Sequence, residues 1–334
     1  MYKSPVAAED SAIEGRTALV TGAGGFIGGA VCRRLAAEGA EVVGLDAAPD
    51  AGGRIRATGA APSHCDITDR EATARALDGA ELVVHTAAIV GDHGSMEEHV
   101  RVNVGGTASV LDAAAAAGAE RVVHLSSVVV YGYDDPSHQD ESAYRRVCGM
   151  PYIDTKSASD RIACGRGAVV IRPGDVYGPG SVWVRRPLEL ARAGRLTVSS
   201  GDSIMLAVYV DDLVEAIVCA LRRGERGQAY AVWNDAEPVT FEDYFNRFAA
   251  MVGGRPARRL PRRLGSALGA AMEAGARLSG RSAPFTRHAA ILVDRRGTVS
   301  AARAREQLGW QPQVGLDEGL RRSEDWLRAE GMLG

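Results

Sequence analysis

A tyrosine and a lysine four residues apart, in "PYIDTK" (151–156), have the types and spacing to move a proton. The chain holds only two lysines, Lys3 and Lys156, although lysine and arginine together number 39. A phenol with an ordinary pKa of about 10 becomes a useful acid or base near neutrality only after roughly 4 kcal/mol of differential stabilisation. Positions i and i+4 share a helix face, so an ammonium on Lys156 can favour the phenolate of Tyr152. A planar guanidinium would be a poorer compact point charge that must also reach a ribose hydroxyl. Nine tyrosines and two lysines in 334 residues give about 0.05 such spacings by chance. Taken alone, the pair reads equally as a surface tyrosine beside a solvated lysine. It has company in "HLSSVVVYG" (124–132), where Ser126 and Ser127 end an apolar run and offer a hydroxyl to a substrate oxygen.

A second group has the chemistry to hold an anion. "TGAGGFIGG" places Gly22, Gly25 and Gly28 at GxxGxxG spacing, with Phe26 and Ile27 between the last two. Glycines are needed where a strand turns sharply into a helix and the backbone must approach a pyrophosphate, which the helix N-terminus then faces. The apolar run "TALVT" (17–21) before the motif and the amphipathic "AVCRRLAAEG" (30–39) after it supply that context. Asp46 ends the next strand, "EVVGLD". A carboxylate there accepts both ribose hydroxyls of NAD and repels a 2′-phosphate, and "DAAPDAGG" (46–53) brings no cation, so NAD is expected over NADP. Asp66 and Ile67, after the third strand, are expected beside the adenine.

The elements that must position these groups follow a regular rhythm. Apolar runs at 41–46, 81–88 ("ELVVHTAA"), 121–127 and 167–173 ("GAVVIRP") alternate with the helical patterns "DREATARALDG" and "TASVLDAAAAAGAE". That pattern predicts an α/β fold: a doubly wound parallel sheet covered by helices on both faces. After about residue 176 the rhythm loosens into a mainly helical half. "SVWVRRPLELARAGRL" reads as loop and helix, and "AVYVDDLVEAIVCALRRG" as a strand end feeding a helix with Asp211 or Asp212 near its start. With no linker in sight, the second domain is expected to interleave with the first: 14–176 and about 205–235 for the dinucleotide, about 177–204 and 236–334 for the substrate.

Composition narrows the class. Hydrophobic content of 46% and a formal net charge of -3 suit a soluble globular protein with no nucleic-acid partner. Five cysteines without CxxC or metal spacing read as buried small residues in a reducing compartment, with no metal site. No apolar run is long enough to span a membrane, and the polar N-terminal stretch shows no secretory signal, so a cytoplasmic location is expected.

Here the sequence resembles the extended short-chain dehydrogenase/reductases, which include nucleotide-sugar epimerases and dehydratases and the hydroxysteroid dehydrogenases. The resemblance covers nearly the whole chain. It is carried by "TGAGGFIGG", "HTAA" (85–88), "NVGGT" (103–107), "SSVVVYG" (126–132), "YIDTK" (152–156), "RPGDVYGPG" (172–180), "VYVDD" (208–212) and "LGWQP" (308–312). It implies that Ser127 is the catalytic hydroxyl, Ser126 being structural, that Tyr152 is the acid/base, and that Lys156 tunes Tyr152 and holds the nicotinamide ribose. It also implies that Asn103 braces the active-site backbone, that Ala87, Ala88 and Pro173 line the cofactor, and that the protein is a homodimer.

The substrate branch rests on departures from the sugar-nucleotide members. Asp175 in "RPGDVYG" stands where those enzymes often carry an asparagine, and its charge would repel a diphosphate. Met205 stands where they carry a gripping arginine. Arg185, Arg186, Arg295 and Arg296 remain as other anion-binding candidates, and Val90, Asp175, Arg185 and Met205 are the expected substrate contacts. In "LGSALGAAMEAGARLSG" (264–280), Leu264, Leu268, Ala271, Met272 and Leu278 share one stripe, expected to roof an apolar pocket rather than meet a membrane surface. The function that follows is hydride transfer, with NAD, to or from a secondary alcohol or ketone of a fairly apolar, sterol- or polyketide-like small molecule. The alternatives are a nucleotide-sugar 4-epimerase or dehydratase with retained NAD and, more remotely, a non-catalytic NAD-sensing regulator. The acidic stretch 134–141 is expected to be a solvated loop.

Overall fold

A computed structural model describes residues 13–91, 94–132, 138–143, 147–279 and 286–333. The N-terminal tail with Lys3, the first half of the acidic stretch 134–141, and Arg281 lie outside them. The first half alternates as read: β1 (Thr17–Thr21), α1 (Phe26–Ala37), β2 (Glu41–Asp46), α2 (Ala51–Arg56), β3 (Ala61–His64), α3 (Arg70–Ala76), β4 (Leu82–His85). A short α4 (Met96–His99) runs through a π-helical turn, Val100–Gly106, into α5 (Thr107–Ala116), followed by β5 (Arg121–Leu125). Next come a short β6 (His138–Gln139), α6 (Pro151–Gly165) and β7 (Val169–Pro173).

These strands form a seven-stranded sheet in the order β3-β2-β1-β4-β5-β7, closed at the far edge by β12 (Ala229–Val232). Every pairing in it is parallel. β4 and β7 are buried at every position, which is what helices on both faces impose and why the strands read as continuous apolar runs. The order reverses at β1, which pairs with β2 on one side and β4 on the other. Loops leaving β1 and β4 therefore diverge and open a crevice at the carboxyl ends of the strands. β12 was not among the strand candidates. It is four residues long and follows helical sequence, and its pairing with β7 is what draws it into the sheet.

The second half adds β8 (Asp175–Tyr177), α7 (Val182–Arg192), β9 (Thr197–Val198), β10 (Ile204–Met205), β11 (Ala207–Tyr209) and α8 (Val210–Arg223) before β12. After β12 come β13 (Val239–Thr240), α9 (Phe241–Met251), β14 (Arg258–Arg259), α10 (Arg262–Ser279), α11 (Arg287–Leu292), β15 (Thr298–Val299), α12 (Ala302–Leu308) and α13 (Leu316–Ala329). Asp211 and Asp212 do lie in the first turn of α8, yet the Asp212 carboxylate reaches across to accept the N–H groups of Gln313 and Val314.

The leucine stripe of α10 does not roof a pocket. Leu264 is 60% and Leu268 44% exposed, whereas Gly265 and Gly269 are buried. A Cβ on Gly265 would stand 3.5 Å from that of Ala290 on α11, so α10 packs through its glycines and turns its leucines outward. The Leu278 side chain lies outside the described residues.

A buried ion pair stands behind the crevice. Arg172 on β7, 1% exposed, forks onto the Asp160 carboxylate of α6 at 2.9 and 2.7 Å. Its Nη1 donates to the Tyr131 hydroxyl at 2.9 Å and the Glu141 carbonyl at 2.7 Å. This fixes α6, and with it Tyr152 and Lys156, to the sheet.

Among the described residues no helix is long and apolar enough to cross a membrane, and no group of three or more His, Cys, Asp or Glu is placed to hold a metal ion. The five cysteines form no disulfide.

Candidate active site

The β1–α1 turn owes its shape to glycine at two points. Gly22 has φ +69°, and a Cβ there would lie 2.9 Å from the Ala87 backbone, while one on Gly28 would lie 2.1 Å from the Gly22 carbonyl oxygen. α1 carries no acid in its first turn and no side-chain cap, so its N-terminal amides and positive dipole end face the crevice. Gly24 and Ala48 each donate an N–H to the Asp46 carboxylate at 2.9 Å, orienting it. Each carboxylate oxygen keeps acceptor capacity for a ribose hydroxyl. Arg54, directly after "DAAPDAGG", folds back onto the Gly24 carbonyl at 3.1 Å and pairs with Asp50 at 2.7 Å.

The far wall of the turn is braced by a buried histidine. The Thr107 hydroxyl donates to the Asn103 carbonyl at 2.6 Å, so it accepts from Nε2–H of His85 at 3.0 Å, and His85 Nδ1 must then accept from the Thr21 hydroxyl at 2.7 Å. Burial depresses the imidazole to about 3, keeping it neutral in this relay. Asn103, 1% exposed in the π-helical turn, exchanges hydrogen bonds with both backbone groups of Ile89 at 2.8 and 3.0 Å and donates to Thr155 of α6 at 3.1 Å. It thus ties the segment after β4 to the helix that carries Tyr152.

One cavity of about 660 Å³ runs through the crevice. It is lined at one end by Gly22, Gly25, Phe26, Ile27 and Gly28, with Asp46, Asp66 and Ile67 beside them. Ala87, Ala88 and Val90 follow, then Ser127, Tyr152, Lys156 and Pro173. The glycine turn, the oriented Asp46 and the length of the cleft fit a dinucleotide. Lys156 is buried and donates to the Leu125 carbonyl at 2.6 Å. Burial lowers its ammonium to about 8, with Asp160 opposing. Tyr152 is pushed up to about 12 by burial, against which a hydrogen bond with Ser127 works; Asp175 adds to the rise. The expected pull of Lys156 on Tyr152 is therefore not what the protein groups alone produce.

Three of the expected substrate contacts do not line the cavity. Asp175 is buried in an ion pair with Arg295 and accepts the Leu206 N–H at 3.0 Å, so its charge is already matched. Met205 is fully buried in β10, opposite Val239. Arg185 lies 5.0 Å over the Trp326 ring. Arg186 pairs with Glu189 and Arg296 with Asp202. None of these lines the cavity. Its walls include Ser126, which the sequence reading held to be structural, and three residues it passed over after Val176: Ser181, Val182 and Trp183. The hydroxyls of Ser126 and Ser181 are buried without a hydrogen-bond partner among the described residues. The signal for the last three was the "SVWV" that follows the glycine-rich loop and opens α7.

Known proteins share this arrangement. Residues 18–234 match the model of the NAD dependent epimerase/dehydratase family. A 2-alkyl-3-oxoalkanoate reductase of Stenotrophomonas maltophilia is 32% identical over 91% of this chain and 97% of its own length. A UDP-glucose 4-epimerase of Mycolicibacterium smegmatis is also 32% identical, over 93% of this chain and 98% of its own. Among solved structures, a double mutant of the dTDP-glucose 4,6-dehydratase DesIV of Streptomyces venezuelae, with NAD and DAU bound, superposes with a TM-score of 0.75 at 25% identity, covering 93% of this chain and 96% of that one. The parallel sheet with its glycine turn, the cleft at the switch point and these matches together make the chain a member of the NAD dependent epimerase/dehydratase family, an NAD-dependent enzyme of the extended short-chain dehydrogenase/reductase type.

Proposed function

We propose that the protein oxidises or reduces a secondary alcohol or ketone in a fairly apolar small molecule, sterol- or polyketide-like. The observation that carries this is the lining of the cleft: Val90, Val176, Val182 and Trp183 stand near the reactive groups, and Lys156 is the one cationic side chain among the lining residues described. A diphosphate would be left without an arginine, forgoing about 1.5–3 kcal/mol for each charge-assisted bond. The likeness to the oxoalkanoate reductase supports the same reading.

In this reading the Ser127 hydroxyl holds the substrate oxygen and Tyr152 gives or takes its proton. Lys156, anchored on the Leu125 carbonyl, carries the charge that moves as Tyr152 ionises. Asn103 keeps the two walls in register. The nicotinamide supplies the hydride chemistry when bound. Residues 14–176 and about 205–235 form the NAD-binding part, and about 177–204 with 236–334 the substrate part. The working form is a cytoplasmic homodimer.

The test has two arms. UDP and dTDP titrated calorimetrically into NAD-loaded protein should give no heat, and a 2-alkyl-3-hydroxyalkanoate should generate NADH absorbance that Tyr152→Phe abolishes. Micromolar UDP or dTDP binding with no net NADH would instead establish the second reading, a nucleotide-sugar epimerase or dehydratase, which the likeness to the UDP-glucose 4-epimerase favours. A fully active Tyr152→Phe enzyme would overturn the role of Tyr152.

A further inference from the structure

We propose that Arg295 is a positioning residue: its buried ion pair with Asp175 neutralises a carboxylate beside Tyr152 and clamps the end of α11 to the wall of the catalytic cleft. The inference rests on the assignment of Tyr152 as acid/base.

Geometry places the pair next to the chemistry. Asp175 opens β8 directly after Pro173 and Gly174, both of which line the cleft. Its own N–H donates to the Leu206 carbonyl at 2.6 Å, and its carboxylate accepts the Leu206 N–H. Arg295 is 2% and Asp175 7% exposed. The Arg295 guanidinium also donates through Nε to the Ile204 carbonyl at 3.1 Å and stands 5.5 Å over the Phe241 ring. Its main chain is held too, because its carbonyl accepts the Ile204 N–H at 2.7 Å. Just upstream, Ile291 and Leu292 of α11 pack with Met150, Tyr152 and Cys148 against Val129 and Ile153. One residue therefore joins β8, β10 and α11 around the start of the tyrosine helix.

A buried carboxylate in this position has an electrostatic consequence. The Asp175 charge opposes ionisation of both Tyr152 and the buried Tyr244 of α9. The groups that act on Tyr152 are Ser127 after β5, through a hydrogen bond, and Asp175 on β8; Cys148 before α6 packs in the same cluster, its thiol on the Asp154 carboxylate, and Arg295 reaches Tyr152 only through Asp175. Tyr244 is engaged in donating to the Trp183 carbonyl at 2.8 Å. Of the two charges in the pair, Arg295 is the one that cancels Asp175. Removing it leaves an uncompensated anion that makes Tyr152 harder to ionise. Removing Asp175 alone leaves an uncompensated cation with the opposite effect.

The experiment titrates Tyr152 directly in NAD-loaded protein by NMR with ring-labelled tyrosine, the signal being assigned by its loss in Tyr152→Phe. Asp175→Asn should move the titration to lower pH by about one unit, and Arg295→Met to higher pH by about as much. The double variant should return close to wild type. Arg295→Lys, which keeps the charge and loses the planar fork, should titrate like wild type even if less stable, and it carries the test should Arg295→Met not fold. Single variants that shift the titration in the same direction, or leave it unmoved while lowering stability, would overturn the proposal and make the pair a structural strut only. No substrate enters this measurement, so it fails independently of the redox reading, which instead falls with a fully active Tyr152→Phe enzyme.

Discussion

Lys156 is held where its charge is disfavoured. In the unfolded chain its ammonium keeps the ordinary lysine pKa near 10.5, whereas burial brings it to about 8 in the fold. Between those values the unfolded chain binds more protons, so stability rises with pH across the window, is complete above about 10.5 and is lost as pH falls through about 8. The penalty below that is on the order of 3 kcal/mol. A Lys156→Met protein, inactive by the proposed mechanism, should be as stable as the parent or more so at pH 7 despite losing the bond to Leu125. The difference should shrink or reverse between pH 8 and 10.5 in urea melts, and a variant equally destabilised at both ends would contradict it. The Tyr–Lys–Ser set and the glycine turn were legible because each is a local spacing. The Asp175–Arg295 pair was not, since its members stand 120 positions apart and no local pattern joins them. A second prediction belongs to this scale. Asp46→Ala removes both the ribose acceptor and the partner of two loop amides, and should weaken NAD binding by about tenfold to a hundredfold in calorimetry.

Among the elements, the π-helical turn at Val100–Gly106 does the joining. Asn103 within it satisfies both backbone groups of Ile89 and reaches Thr155, so one side chain couples the segment after β4 to α6. Asn103→Ala would leave a buried N–H and C=O unpaired, at about 2 kcal/mol of stability. It should also lower turnover while leaving NAD affinity within about threefold, because the glycine turn is untouched; unchanged turnover would remove its bracing role. "NVGGT" could be read as a motif, but not as a π turn, since the extra residue per turn leaves no sequence mark. α10 failed for a different physical reason. Hydrophobic periodicity finds a stripe without saying which face is covered, and here the small face wins because Gly265 lets the helix approach α11 closely. Leu268→Glu on the outward face should therefore change stability by no more than about 0.5 kcal/mol in a chemical melt. A loss of several kcal/mol would restore the roof.

At the scale of the molecule, the order of the motifs along the chain was enough for the fold and for the place of the cleft. How the C-terminal half is fastened to the sheet was not readable. The fastening passes through Asp212. Its backbone carbonyl accepts the indole N–H of Trp310 at 2.8 Å, and its two carboxylate oxygens accept the N–H groups of Gln313 and Val314 at 2.9 and 3.1 Å. Trp310 is 1% exposed and its neighbour Leu308 fully buried, so the "LGWQP" segment is pinned to the first turn of α8. The carboxylate is the vulnerable part, because a side-chain deletion cannot remove the carbonyl contact. Asp212→Ala leaves two amides without their acceptor and should lower stability by about 2–4 kcal/mol, at roughly 1–2 kcal/mol for each buried donor. NAD binding, which uses the glycine turn between β1 and α1, should stay within about twofold. Thermal melts with and without NAD separate the two halves of the claim: a lowered midpoint with an undiminished NAD-induced rise is the expected result. If the variant melts like wild type, the segment is held by the burial of Trp310 alone, and the acid at that position has another task.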